Sequence, residues 1–310
     1  MSTVLVTGSE GTLGKPLVAA LEAAGHVVFT VDQMHTGRRN HLRADVAIHH
    51  QLKGAYLPDP DVVVHLAAEF GRENGLNYSE QLWTTNCIGT GNIIDFCSHF
   101  STHLIFASSS EAYGDIAEGE PMLHEAALDC KVPSFYNEYA LTKWANEKQL
   151  EIAGRKGLEY TTMRLFNIYG PGEHYTPYRS VVCRFIHQAL AGETMKVSDG
   201  LRTLLYVNDF VDFVLRAVDK RPGGAFNVAG SEEINMTALA AMIRTGCGSG
   251  SLIEFYKETE TVSRKKASTE KAKSVLGWEP KVGLEKGLEE TIRWQRNSST
   301  YSCVPALSTR

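Results

Sequence analysis

Short apolar, β-branched runs alternate with longer amphipathic segments through the first two-thirds of the chain. Strands are predicted at Thr3–Thr7, His26–Val31, Val62–Leu66, His103–Ser108 and Tyr160–Phe166. In Val27-Val28-Phe29 and Val62-Val63-Val64 the apolar positions are consecutive, the pattern of strands buried on both faces of a parallel sheet. Helices are predicted between them at Leu13–Ala24, stopped by Gly25, at Asn77–Phe100, and at Tyr139–Ala153, ended by Gly154. Strand–helix–strand repetition of this kind builds an α/β fold with a doubly wound parallel sheet. Beyond Gly170-Pro171-Gly172 the regularity weakens. Helices at Val181–Ala191, Val207–Asp219, Met236–Thr245 and Leu284–Asn297 alternate there with short strands such as Ala225–Val228 and Leu252–Tyr256. The pattern predicts the sheet over residues 1–170, a return of the chain to it around 205–230, and a smaller mixed α/β C-terminal domain over 171–296. Residues 297–310 are polar and aperiodic, which predicts a flexible tail.

Composition narrows the class. The 310 residues are 43% hydrophobic and 22% charged with a net charge of −5, and no basic face points to nucleic acid as a partner. Arg38-Arg39 and Arg264-Lys265-Lys266 read as short clusters of solvated charge unless a site claims them. No apolar run approaches the roughly 20 residues that cross a bilayer. Met1 leads almost directly into Val4-Leu5-Val6 without a charged leader, so no signal peptide and no membrane association is predicted. Six scattered cysteines, none in a Cys-x-x-Cys pair, argue against a metal cage or a disulfide framework and for the cytoplasm. No metal is expected.

The chemistry is concentrated at strand ends. The first strand runs into Gly8, Gly11 and Gly14, spaced G-x-x-G-x-x-G, and then into a helix. Such a turn lets backbone approach a pyrophosphate while the helix N-terminus supplies N–H donors. The second strand ends at Asp32, whose carboxylate can accept hydrogen bonds from ribose hydroxyls and repels a 2′-phosphate, favouring NAD over NADP. Arg38 and Arg39 are the counter-argument, since an arginine there can hold that phosphate. Tyr139 and Lys143 lie one turn apart on a single helix face. A cation one turn away can lower the pKa of a phenol that otherwise titrates near 10 and make it a usable base. Taken alone, this pair is an ordinary surface feature. Its place after a glycine-rich first turn and a serine-rich strand end, Ser108-Ser109-Ser110-Glu111, gives it weight.

On these residues the chain resembles the extended short-chain dehydrogenases, the NAD-dependent nucleotide-sugar epimerase/dehydratase family, over almost its whole length. The matching motifs are Thr7 to Gly14, His65-Leu66-Ala67-Ala68, Asn86 in Thr85–Thr90, Ser108 to Gly114, Tyr139 with Lys143, Arg164 to Gly172, Arg202 through Asp209, and Leu276 to Pro280. The resemblance implies a Rossmann sheet that binds NAD through Gly8, Gly11, Thr12, Leu13, Gly14, Asp32, Asp45, Val46, Leu66, Ala67, Ala68, Asn86, Ser108, Tyr139 and Lys143. It implies that Tyr139 takes the C4 hydroxyl proton while hydride passes to the nicotinamide, that Lys143 holds the nicotinamide ribose, and that Ser109 is the catalytic hydroxyl. The C-terminal domain then binds a nucleotide-diphosphate sugar, with Asn167, Val181, Arg202 and Arg264 toward the nucleotide. Arginine suits diphosphate because its planar fork pairs with two oxygens.

The reaction beyond C4 oxidation turns on Glu111 and Ser110. Members that remove the C5 proton carry a glutamate two residues before the tyrosine here numbered Tyr113, whereas simple 4-epimerases have an uncharged residue. The resemblance therefore implies C5-proton chemistry, of 4,6-dehydratase or decarboxylase type. The alternatives are a 4-epimerase, an NADPH-dependent ketosugar reductase and a non-catalytic dinucleotide sensor. A decarboxylase needs a cation for the substrate carboxylate, and Arg179 and His174 are the candidates. The family also implies a homodimer packed through the Asn77–Phe100 and Tyr139–Ala153 helices.

Overall fold

The computed structural model describes residues 1–53, 59–71, 77–198, 200–256 and 264–298; the predicted tail beyond residue 298 lies outside them. Seven parallel strands form the central sheet, lying across it in the order Gly224–Val228, Tyr160–Leu165, His103–Ser109, Val62–His65, Thr3–Thr7, Val27–Asp32 and His41–Arg43. They are β1 (Thr3–Thr7), β2 (Val27–Asp32), β3 (His41–Arg43), β4 (Val62–His65), β5 (His103–Ser109), β6 (Tyr160–Leu165) and β11 (Gly224–Val228). The predicted strands are present to within a residue at either end. β3 has no counterpart among them because its three residues are half-buried or exposed and carry no apolar run. The chain order reverses between β1 and β4, and their carboxyl ends open the crevice where such sheets take ligands.

Each face of the sheet has its own core. On one side Leu17, Val18 and Leu21 of the Gly14–Ala23 helix meet Phe210, Phe213 and Val214 of the Val207–Lys220 helix. Trp278 closes this layer fully buried, its Nε1 donating to the Asp209 carbonyl at 3.0 Å. On the other side Ile93, Ile94 and Cys97 of the Thr90–Phe100 helix and Leu150 of the Glu138–Gly154 helix cover Leu5, Val63 and Leu104. A separate core gathers Val182, Phe185, Met195, Leu239, Ile243, Leu288 and Ile292 under the smaller C-terminal part. Leu276 and Trp278 thus pack on the sheet, although sequence spacing places them among the residues of the second domain.

The predicted helix at 77–100 is broken in two. An α-helical turn at Ser79–Trp83 passes into a π-helical segment, Thr84–Gly89, before the α-helix resumes at Thr90. The extra residue per turn brings Asn86, Gly89 and Thr90 all to the buried side.

Across the carboxyl half of the sheet, register sets three polar residues side by side. Arg164 of β6 lies opposite Ser108 of β5 and opposite Asn227 of β11. Paired residues on neighbouring strands project to the same face, and here that face is buried. The Arg164 guanidinium donates to Glu147 of the Glu138–Gly154 helix through Nη2 at 2.8 Å and Nε at 3.1 Å, and to the Tyr113 hydroxyl at 3.0 Å. Ser108 donates to the same Glu147 carboxylate at 2.5 Å, and Tyr113 donates to Asn227 at 2.7 Å. The ion-paired side chains are only 5% and 6% exposed, so removing one partner strands a buried charge. Arg164→Met is expected to cost roughly 3–5 kcal/mol in a denaturant titration. Arg164→Met with Glu147→Met should recover much of that loss in a double-mutant cycle.

Candidate active site

The turn after β1 is built for close approach. Gly8 has φ +70°, and a Cβ there would stand 2.6 Å from the Ala67 nitrogen at the end of β4. A Cβ on Gly14 would stand 2.2 Å from the Gly8 carbonyl. Only glycine fits either position, and the result is an open backbone cradle at the switch point between β1 and β4. Thr12 and Leu13 complete the turn before the Gly14–Ala23 helix. Asp32 stands at the end of β2 beside this cradle, its carboxylate accepting the backbone N–H groups of Glu10 and Met34, each at 2.9 Å. Each oxygen keeps a lone pair for a ribose hydroxyl. Arg38 turns to Glu22 at 2.7 Å on the surface. The cradle and the Asp32 carboxylate fit NAD.

Around the cradle, several motif residues act as framework. Asp45 caps its own turn through the Ala47 N–H, and the Val46 carbonyl accepts from Asn92 at 2.9 Å. Val46 also packs where a Cβ on Gly89 would stand, 2.8 Å from its side chain. Leu66 and Ala67 hang their backbone N–H groups on Thr7, and Ala68 follows on the same loop. His65 is buried between the hydroxyls of Thr7 and Thr90 at 2.7 and 3.1 Å. Burial, and then Lys143, drive its pKa down to about 3, so the ring bridges as a neutral imidazole. Asn86 spends its amide on the backbone of Glu69 and on the Thr142 hydroxyl. Ser108 gives its hydroxyl to Glu147. The structure turns the polar side-chain groups of Asn86 and Ser108 inward. Strand alternation is the reason for Ser108, since Ser109 takes the opposite face.

The reactive groups gather where this strand ends, under the Glu138–Gly154 helix. The Glu138–Gly154 helix starts at Asn137, whose side chain accepts the Ala140 N–H at 2.8 Å. Tyr139 is therefore in its first turn and Lys143 in the second. Lys143 is 4% exposed, and its Nζ donates to the Ala107 carbonyl at 2.8 Å. Burial pulls its pKa down to about 8, against the opposing pull of Cys87 and Glu147. For Tyr139, burial pushes the pKa up to about 12; a hydrogen bond with Ser109 works against that shift and the charge of Glu111 adds to it. In the protein by itself desolvation is the largest influence on the phenol, and the Ser109 hydrogen bond opposes it. NAD held by the glycine cradle and Asp32 would supply a hydride acceptor and donor. Ser109 accepts the Glu111 N–H at 3.2 Å and caps a short 3₁₀ turn, Ser110–Tyr113, in which Ser110 is buried.

Glu111 has a partner that the spacing alone did not single out. Lys265, fully inside the protein, donates to Glu111 Oε1 at 2.5 Å. It comes from β14 (Arg264–Lys265), which pairs with β9 (Leu201–Thr203) so that Lys265 lies opposite Arg202. The Arg264-Lys265-Lys266 cluster was visible in the sequence; strand parity decides which of its members faces Glu111. Lys266 pairs instead with Glu233 at 3.4 Å, and the Arg264 side chain lies outside the described residues. Asn167 adopts a left-handed backbone (φ 37°) and donates to the Thr203 carbonyl, which ties the end of β6 to the strand bearing Arg202. Val181 opens the Val181–Ala191 helix behind the Ser180 cap. Arg179 stacks over the ring of Phe70 at 5.0 Å, and His174 turns to Trp294 on the last helix. Glu173 pins this loop by accepting from the Ser180 N–H and hydroxyl. Among the described residues no group of three or more His, Cys, Asp or Glu side chains could hold a metal ion, and no helix is long and apolar enough to cross a membrane.

Comparison with known proteins agrees with this architecture. Residues 4–229 match the model of the NAD dependent epimerase/dehydratase family. The chain is 31% identical over 306 residues to UDP-glucuronic acid decarboxylase 1 of Xenopus tropicalis, covering 94% of this chain and 72% of that protein. It is 31% identical over 320 residues to UDP-N-acetyl-alpha-D-glucosaminuronate decarboxylase of Bacillus cytotoxicus, covering 94% and 97%. Its fold superposes on Thermus thermophilus UDP-glucose 4-epimerase in complex with NAD with a TM-score of 0.86 at 25% identity, over 96% and 99% of the two chains. The chain belongs to the NAD dependent epimerase/dehydratase family, an enzyme family whose cofactor fits the cradle described above.

Two outcomes test this geometry. Tyr139→Phe should lower turnover by roughly 10²- to 10⁴-fold while NAD remains bound, measured as activity against cofactor content of the purified protein. If the reaction needs the Lys143 cation, kcat should fall as pH rises through about 8, where that group loses its proton, as a kcat–pH profile would show.

Proposed function

We propose that the protein decarboxylates a UDP-hexuronate by transient oxidation at C4, using a retained NAD. The observation that carries this reading is the Glu111–Lys265 ion pair beside Tyr139. A buried ammonium at the sugar end is the group a C6 carboxylate needs, and a 4-epimerase of neutral sugars has no use for it. The two decarboxylase relatives support the same choice. In this scheme Tyr139, assisted by Ser109, takes the C4 hydroxyl proton, while NAD held in the cradle would accept the C4 hydride and later give it back. The resulting β-keto acid loses carbon dioxide: the C5–C6 bond breaks and its electron pair passes to C5 and the C4 oxygen. Lys265 orients the carboxylate for that step, Ser110 lies beside the developing enolate, and the Glu111–Lys265 pair supplies the proton that C5 gains. Tyr139 returns its proton to the C4 oxygen as C4 is restored, so the net change is hexuronate plus a proton to pentose plus carbon dioxide.

The nucleotide side follows the same reading. Gly8, Gly11, Thr12, Leu13, Gly14, Asp32, Asp45, Val46, Leu66, Ala67 and Ala68 frame NAD, and Asn86 and Ser108 hold that frame from behind. Asn167, Val181 and Arg202 take the nucleotide diphosphate, with Arg264 assigned to it by the family resemblance, and Arg179 closes the sugar end over Phe70. A homodimer through the two long helices is part of the proposal, supported by Ile88 and Ile152, which are 55% and 54% exposed on them. The cytoplasm fits the free thiols of Cys87, Cys97, Cys183 and Cys247.

Incubation of NAD-loaded protein with UDP-glucuronate, UDP-N-acetylglucosaminuronate and UDP-glucose in deuterated water, followed by mass spectrometry, tests the reaction. Loss of carbon dioxide with deuterium at C5 is expected. Inversion at C4 alone would make it an epimerase, and loss of water a dehydratase. Lys265→Met should lower kcat/KM for the hexuronate by roughly 10- to 100-fold, the worth of one charged hydrogen bond.

A further inference from the structure

Three turns of one helix are tied to three consecutive residues of one strand. Tyr139, Lys143 and Glu147 recur every four residues along the same face of the Glu138–Gly154 helix. Tyr139 meets Ser109, Lys143 donates to the Ala107 carbonyl, and Glu147 accepts from the Ser108 hydroxyl. Glu147 touches neither the glycine cradle nor the Glu111–Lys265 pair. Its carboxylate is spent on Ser108 and on Arg164, at 2.5 to 3.2 Å. A structural anchor could use an uncharged side chain; a buried carboxylate one turn from a buried ammonium does more.

We propose that Glu147, held by Arg164, is a positioning residue for catalysis: it sets the register of Tyr139 and Lys143 against Ala107–Ser109 and keeps a negative charge behind Lys143. The proposal rests on Tyr139 and Lys143 carrying the C4 oxidation. The groups facing Lys143 are Cys87 from the π-helical segment, His65 from β4, and Tyr139 and Glu147 from its own helix. His65 is neutral, Cys87 is pushed up to about 11 by burial and stays a thiol, and Tyr139 is pushed up to about 12. Glu147 is therefore the anion that opposes the desolvation of Lys143 at neutral pH.

Glu147→Gln keeps the shape and removes the charge. In NAD-loaded enzyme it is expected to lower kcat roughly 10- to 100-fold, to leave KM for UDP-glucuronate within about twofold, and to move the alkaline limb of the kcat profile to lower pH. Glu147→Asp should restore part of kcat. Because Glu147→Gln leaves Arg164 unpaired, Glu147→Gln with Arg164→Met serves as the well-folded control and should stay slow. A substrate-independent measurement separates this proposal from the decarboxylase reading: the titration of the Lys143 ε-carbon by NMR in ¹³C-lysine-labelled holoenzyme, assigned by its loss in Lys143→Met. A downward shift of that titration in Glu147→Gln supports the role even if wild type releases no carbon dioxide. An unmoved titration, or a Glu147→Gln enzyme that loses thermal stability while keeping kcat and its pH limb, overturns it.

Discussion

The buried ion pair between Arg164 and Glu147 is the contact on which the reactive half of this molecule depends. It joins the middle of three strands, β5, β6 and β11, to the helix that carries Tyr139 and Lys143. Burying two charges is costly, and the site offsets that cost by saturating them: Ser108 and Arg164 on the carboxylate, Tyr113 and the Glu125 carbonyl on the guanidinium. A network satisfied in this way has one arrangement. Its consequence is geometric, because the helix cannot rotate or slide without stranding a charge.

The cofactor end obeys a different constraint, that of space. Between Gly8 and Ala67 there is no room for a Cβ, nor between Gly14 and the Gly8 carbonyl. Backbone N–H groups can come close to a pyrophosphate only where side chains are missing on both sides of the turn. Behind that turn, neutral His65 and the amide of Asn86 hold the loop after β4 through hydrogen bonds that do not change charge near neutral pH. The polar residues of the motifs thus divide between those that present themselves to a ligand and those that hold the presenting backbone still.

Around Tyr139, Lys143 and Lys265, burial competes with charge. Desolvation wins at Tyr139, pushed up to about 12, and at Lys143, pulled down to about 8. Lys265 is equally buried but meets a carboxylate directly, and a direct ion pair is what allows an ammonium to remain inside. Two lysines of similar burial therefore face different demands. Lys143 is held by a carbonyl with an anion one turn away, and Lys265 by an anion in contact.

What the sequence determined by itself is whatever depends on local spacing. Consecutive apolar triplets announced strands buried on both faces, G-x-x-G-x-x-G at a strand–helix junction announced the cradle, and a four-residue spacing placed Tyr139 over Lys143. Each is a property of neighbours along the chain, so periodicity suffices to read it. The tertiary structure decided what depends on partners far apart in sequence. That Ser108 serves Glu147 follows from the register with Arg164, and Ser109 meets Tyr139 where the strand ends and the 3₁₀ turn begins. That Lys265 meets Glu111 across 154 residues, leaving Lys266 to Glu233, follows from the pairing of β14 with β9. The break in the 77–100 helix, the short β3 and the packing of Trp278 on the first sheet are of the same kind. Their signals are weak locally because the energy that selects them comes from contacts made only once the chain has folded.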